Sequence, residues 1–182
     1  MTEVPVKIKT NYPVSVEEAK RHLRIDDSWD KDDDYIRNLI KAATQKAEEY
    51  IGKDIAETSN VLKIRDYAGS DFYVQEGNFI SLTSVQQSDE ATSITVDHTE
   101  IYYNQFYVEL SSSVSQDPLY INYKTGFLVN TVPALIKQAI LVKIGDLYDS
   151  ERGSYLAGSY KETNAWQHLL DSFKLVMYKD EY

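Results

Sequence analysis

The sequence predicts an α+β fold: a helical bundle, made of an N-terminal helical hairpin and C-terminal helices, with an inserted antiparallel β-sheet or small β-sandwich. Three stretches lead to this reading. From Asp32 to Ile51, the residues Ile36, Leu39, Ile40, Ala43, Ala47, Tyr50 and Ile51 recur at three- and four-residue steps, the period of one buried stripe on a helix. Between Val61 and Tyr123 the period falls to two, as in half-buried strands. From Thr131 to Arg152 the helical period returns. At 182 residues the chain suits one domain over 1–182, with a hairpin over 14–60, a β insert over 61–125 and C-terminal helices over 131–178.

Each element has its own local signals. Pro5 and Pro13 make the first residues an extended arm. Ser15 followed by Glu18 has capping-box spacing and opens a short helix to about Leu23, with Val16, Ala19 and Leu23 on one side. The linker Asp26–Lys31 leads into the long helix. There Asp32, Asp33 and Asp34 offer an N-cap oxygen and place negative charge at the positive end of the dipole, while Gly52 and Lys53 suit the other end. Two helices joined so closely form a hairpin that buries one stripe against the other.

In the middle, Leu62 and Ile64, Phe72 and Val74, Ile80 and Leu82, Ile94 and Val96, Phe106, Val108 and Leu110, then Leu119, Ile121 and Tyr123 alternate with polar neighbours. Gly69-Ser70, Gly77-Asn78, Asn104-Gln105 and the run Ser111–Ser115 punctuate them, giving about six strands with close turns. Thr131 as N-cap and Pro133 near the first turn then start a helix. Its stripe is Leu135, Ile136, Ala139, Ile140, Ile144, Leu147 and Tyr148, with Leu141 and Val142 as further apolar surface off that face. Gly153–Glu162 reads as a mobile loop, and Thr163 as the cap of a last helix with Trp166, Leu169, Leu170 and Phe173 at helical spacing. The charged tail after Met177 reads as frayed.

The second apolar patch needs a partner, either another chain or, within the subunit, the last helix through Trp166 and Leu170. Leu141, Val142 and Trp166, with the loop tyrosines Tyr155 and Tyr160, are the candidate interface residues. High Tyr content, 15 residues, suits strands and protein interfaces, because the ring packs while the hydroxyl stays wet.

Charge is unevenly placed. The formal net charge is −10, and between Asp66 and Tyr123 there is no Lys or Arg, but nine acidic residues: Asp66, Asp71, Glu76, Asp89, Glu90, Asp97, Glu100, Glu109 and Asp117. Such a segment is a poor grip for nucleic acid, whose binding rests on neutralising phosphates; it reads as a solvated acidic face or a wall that repels DNA. The absence of Cys excludes disulfides and thiolate metal sites. No run approaches a membrane span, and the start MTEVPVKIKT lacks the apolar core of a signal peptide, so the chain reads as soluble, intracellular when made and without membrane partners.

No catalytic or cofactor motif emerges. Asp26, Ser28, Asp30, Asp32, Asp33 and Asp34 resemble a calcium loop, but counting from Asp26 the sixth position is Lys31, where Gly is needed, and the twelfth is Arg37, where a bidentate Glu is needed. Helix capping and solvated charge account for these residues better. His22, His98 and His168 have no second His or Cys at ligand spacing. G-x-S-x-G, P-loop and G-x-G-x-x-G patterns are absent, so no enzyme, cofactor or metal is expected. The alternative to a structural role is a non-ring binding or hydrolytic module that uses the acidic β segment.

Two stretches carry a family likeness: VSVEEAKRHLRIDDSWDKDDDYIRNLIKAATQKAEEYIGKDI (Val14–Ile55) and YINYKTGFLVNTVPALIKQAILVKIGDLYDSERG (Tyr120–Gly153). Both resemble the head-to-tail connector (head-completion, adaptor) proteins of long-tailed bacteriophages, and HLLDSFK (His168–Lys174) resembles that family's short leucine-rich ending. The order matches too: helical hairpin, variable β insert, strand leading to Gly, Pro-initiated helix. The resemblance implies a virion protein made in the host cytoplasm, assembled as a ring of about a dozen copies by heterologous contacts. It further implies a portal protein above, a stopper or tail-completion protein below, and DNA passing through without sequence-specific binding. The β segment is larger than the family's minimal form.

Overall fold

The computed structural model describes residues 2–75, 77–102, 105–152 and 164–175. The chain divides into two compact units: Met1–Asn11 with Ala56–Leu128, and Tyr12–Ile55 with Val129–Tyr182.

The first unit is all β. Its strands are β1 (Val6–Asn11), β2 (Glu57–Ile64), β3 (Tyr67–Gln75), β4 (Phe79–Gln86), β5 (Ser93–Ile94), β6 (Val96–Tyr102), β7 (Gln105–Gln116) and β8 (Leu119–Thr125). They form a five-stranded sheet of order β1-β2-β8-β4-β5 and a three-stranded sheet of order β3-β7-β6, antiparallel throughout. Alternate residues of both sheets meet in one core. Leu62, Val85, Leu119, Ile121 and Tyr123 come from the larger sheet, and Phe72, Val74, Phe106, Val108 and Leu110 from the smaller. Phe106 sits at the centre, stacked on Phe79 at 4.0 Å between ring centroids and tilted against Tyr123 at 5.2 Å.

The larger sheet has one tight approach. Gly126 has φ +98°, and a β-carbon there would stand 2.1 Å from the Ala56 carbonyl oxygen, so only glycine fits. Its N–H donates to the Asn78 carbonyl at 2.8 Å.

The second unit is helical. α1 (Val16–Leu23) has a complete capping box: Glu18 N–H donates to Ser15 Oγ at 3.1 Å, and Ser15 N–H to Glu18 Oε2 at 2.9 Å. α2 (Asp33–Ile51) buries Ile36, Leu39, Ile40, Ala43, Ala47 and Ile51, as its spacing predicts, while Tyr50 is half-buried. It stops at Gly52, whose φ of +73° carries its N–H back to the Glu48 carbonyl at 2.8 Å. The N-terminal end differs from expectation. The Asp32 side chain makes no cap hydrogen bond and instead accepts from the Trp29 indole N–H at 3.2 Å.

A 3-10 turn at Val129–Thr131 precedes α3 (Ala134–Arg152), whose first turn bonds to the Pro133 carbonyl. Ile136, Ala139, Ile140, Ile144 and Tyr148 are buried, but Leu135, expected in the same stripe, is 49% exposed. α4 (Ala165–Leu170) follows Asn164 and buries Trp166 and Leu170. The expected cap Thr163, the loop 153–162 and the tail after Met177 lie outside the described residues.

A helical bundle carrying an inserted sheet is therefore not what forms. Eight strands in two antiparallel sheets hold the larger share of the regular structure, beside four α-helices among the described residues. Strand was undercounted for three physical reasons. The N-terminal arm pairs with β2 as β1. The Gly69-Ser70 pair is no turn but a register shift inside β3 opposite β7. The serine run Ser111–Ser115 lies inside β7, with Val114 and Ser115 in register against β3.

Two substitutions test this core. Ile40→Ala, at a side chain 4% exposed, should cost about 2–5 kcal/mol in chemical denaturation, and an unchanged midpoint would mean the wrong face of α2 is buried. Gly126→Ala should cost more than about 1 kcal/mol, since both φ and the Ala56 carbonyl oppose a side chain.

Candidate assembly surfaces

The residues singled out by sequence fall in different environments. Leu141 and Val142 are half-buried on α3. Trp166 is only 6% exposed, with its ring edge-on to Tyr50 at 5.4 Å and the Lys143 Nζ 5.3 Å from its centroid. Helical packing inside the unit thus brings Trp166 to Tyr50 and Lys143. Tyr155 and Tyr160 lie outside the described residues.

The acidic linker resolves into turns and ion pairs. Asp26 Oδ1 accepts from the Ser28 N–H at 2.8 Å and the Ser28 hydroxyl at 2.6 Å, and these bonds hold its carboxyl below the usual range. Asp34 pairs with Arg37 at 2.6 Å. Asp33 reaches the buried Lys20 ammonium, at 2.5 Å, and so ties α1 to the start of α2. Among the described residues no group of three or more His, Asp or Glu is placed to hold a metal ion. His98 lies 3.8 Å from Glu100 and His168 3.5 Å from Asp171, each an exposed pairing.

Sequence reasoning missed two surfaces of the β unit. The first is the β1 edge, where the alternate residues Val6 and Ile8 are 58% and 60% exposed, with Val4, just before the strand, 90% exposed. The two-residue spacing of Val6 and Ile8 is the available signal; the extended arm expected from Pro5 and Pro13 carries no pairing partner in its own sequence. The second is the outer face of the three-stranded sheet. On β3 and β7 the alternation puts Phe72, Val74, Phe106 and Val108 inward, leaving Asp71, Tyr73, Tyr107 and Glu109 outward. The Tyr73 and Tyr107 rings touch at 4.9 Å, and Tyr73 is 54% exposed. Partial burial and the nearby Asp71 and Glu109 carboxylates raise the Tyr107 pKa.

The larger sheet's outer face is polar and cross-linked. Glu57 accepts from Asn11 Nδ2 at 2.8 Å and Lys124 Nζ at 3.0 Å, and these two donors, Asn11 foremost, hold its carboxyl below the usual carboxylate range. Arg65 pairs with Glu3 at 2.6 Å, and Lys63 lies over the Tyr120 ring at 4.9 Å.

With no catalytic constellation among these groups, kinship decides the class. The model of the phage gp6-like head-tail connector protein family matches residues 13–139, more than half of the chain. The chain belongs to this family. It is a structural head–tail connector protein of a phage-type virion, not an enzyme. A search of curated protein sequences gives no match. Among solved structures, the connector is similar to a chain in the neck of an empty gene transfer agent (GTA) particle computed with C6 symmetry, with a TM-score of 0.71, 14% identity and 98% of both chains covered. It is similar to a chain in the virion of the native GTA particle, with a TM-score of 0.71, 13% identity and the same coverage. A third similar chain, from the neck of the native particle computed with C12 symmetry, has a TM-score of 0.69, 11% identity and again 98% coverage of both. At these identities the likeness is one of fold.

Two further outcomes follow for the connector subunit. Asp33→Ala would leave the buried Lys20 without its nearest carboxylate, keeping the Asp27 carbonyl, and should cost more by denaturation than Asp34→Ala, whose exposed pair is worth under about 1 kcal/mol. Glu57 has a depressed folded pKa, so its stabilisation is fully present above the ordinary carboxylate pKa near about 4.3 and lost as pH falls through the folded value. Glu57→Gln should therefore melt below the parent at pH 7, and the two curves should converge in acid; a constant gap at all pH values would remove the ionised pair as the cause.

Proposed function

We propose that the connector acts as one subunit of a closed ring at the virion head–tail junction, set beneath the portal protein, extending the DNA channel and receiving a stopper or tail-completion protein. The observation that carries this reading is the match, over 98% of both chains, to proteins described in GTA necks computed with C6 and C12 symmetry. Twelvefold symmetry and the family resemblance both favour about a dozen copies. The subunit is made in the host cytoplasm and joins the particle there. DNA passes without sequence-specific contact, in keeping with a 66–123 segment devoid of Lys and Arg.

On the helical unit, Leu141 and Val142 are the proposed contact to a neighbouring subunit or the portal: α3 already buries Ile136, Ala139, Ile140 and Ile144, which leaves these two half-covered. The mass of the full chain in solution, alone and with portal protein, tests the ring directly: an assembly approaching a dozen 20.9 kDa chains supports it, and a strict monomer in both mixtures refutes it. Replacing Leu141 and Val142 together by Ser should leave a folded subunit that no longer assembles or attaches. Unfolding of the isolated double variant would instead make the patch core.

A further inference from the structure

The last turn of α2 holds no basic residue, although a cation is favoured at the negative end of a helix dipole. The charge comes instead from residues 164–175, far along the chain. Lys174 sets its Nζ 4.0 Å from the centroid of the Tyr50 ring, and the Leu175 N–H donates to the Ile51 carbonyl at 2.7 Å, meeting one of the carbonyls a helix leaves over at its C-terminus. Asp171 ties the arrangement together. Its Oδ1 accepts from the Tyr50 hydroxyl at 2.6 Å and from Lys174 Nζ at 3.0 Å, and its Oδ2 lies 3.5 Å from His168 Nδ1. The Tyr50 hydroxyl and then Lys174 hold the Asp171 carboxyl below the usual carboxylate range.

The same segment is anchored by apolar contact. Trp166 and Leu170 are the buried residues of α4, and Trp166 bridges two helices, its ring edge-on to Tyr50 of α2 and beneath Lys143 of α3. α4 has six residues, fewer than the roughly 12–15 that an isolated helix needs in water, so its helical form depends on this seat. Past Leu170 the holding groups are polar and exposed: the Lys174 and Asp171 side chains are 44% and 48% exposed, and exposed ion pairs are individually weak. A short segment with two buried anchors and an exposed polar clasp belongs to the low-stability end of a fold and opens locally. α2 beneath it, with Ile36, Leu39, Ile40 and Ala43 buried, belongs to the high-stability end.

We propose that residues 164–175 form a strap that closes and opens as one unit on the end of α2, with Trp166 and Leu170 as its anchors and Tyr50, Asp171 and Lys174 as its clasp. Closed, it completes the end of α2 and covers the seat between Tyr50 and Lys143. Open, it bares that seat and releases Trp166 while α2 and α3 stay folded. Gly52 leaves room for the closed form, since a β-carbon there would stand 3.3 Å from the Leu175 β-carbon. The strap is a property of the single subunit and stands independently of the ring.

Hydrogen exchange of the full chain at neutral pH, read by mass spectrometry on fragments and corrected for intrinsic rates, tests the strap. Fragments from 164–175 should exchange at least about tenfold faster than those from 36–47, because they report a local opening rather than the global one. Asp171→Ala removes the acceptor shared by Tyr50 and Lys174 at an exposed position. It should speed exchange in the strap by a further factor of about three to ten and leave 36–47 at the parent rate. Strap fragments that exchange no faster than 36–47 in the parent would make the segment part of the global core and overturn the proposal. It is equally overturned if Asp171→Ala leaves the strap at its parent rate, or speeds both regions by the same factor.

Discussion

Strand β8 is the constraint on which the β unit depends. It is hydrogen-bonded on both sides, to β2 over seven register positions from Thr58–Thr125 to Ile64–Leu119 and to β4 from Phe79 to Gln86. Its backbone polar groups are therefore met within the sheet, which lets both faces of the strand be covered without an unpaired buried group. Leu119, Ile121, Tyr123 and Thr125 are buried on the core side, and Tyr120, on the opposite face, is buried as well beneath Lys63. Gly126 ends the strand where the Ala56 carbonyl leaves no room for a β-carbon. Pairing order follows from this. β2 and β4 are close in sequence, but the strand between them in space, β8, is the last of the unit in chain order, so the larger sheet closes only when residue 125 is in place.

Electrostatics acts differently in the two units. In the helical unit the charges that matter are local: the Ser15–Glu18 box fixes the start of α1, and Lys20 with Asp33 fixes the start of α2 from inside. A buried ammonium is costly to leave alone, so the pair specifies geometry more than it adds stability. In the β unit the ion pairs are exposed, as between Arg65 and Glu3, and add little individually.

The parts of the fold legible in the sequence are those set by local physics. The stripe Ile36 to Ile51, the capping box, the glycine stop at Gly52 and the inward alternation Phe106, Val108, Leu110 need no knowledge of distant partners. What was not legible depends on a partner far along the chain. Ser111–Ser115 and Gly69-Ser70 have the composition of turns, and only a ladder between β3 and β7 makes them strand and bulge. The arm at Val6 becomes strand because β2, some fifty residues later, offers an edge. The family was nonetheless readable, because its likeness rests on helical segments whose spacing is local. On the outer face of the smaller sheet, Tyr73 and Tyr107 were visible only as abundant tyrosine; their contact depends on cross-strand register.

A ring of such subunits faces a problem of self-repulsion. Each copy carries a formal charge of −10, and bringing like-charged copies together is unfavourable wherever their charges approach within a Debye length of about 8 Å. Spreading the excess evenly would place acid at every contact. Concentrating it, with nine acidic residues and no Lys or Arg between Asp66 and Tyr123, leaves the rest of the chain nearly balanced in charge. Beyond the Debye length the net charge is screened and favours solubility of the separate subunits; within it, the local sign decides which surfaces can meet. The same distribution thus disfavours approaches that bring two acidic segments together, a selectivity among orientations that a closed head-to-tail assembly requires.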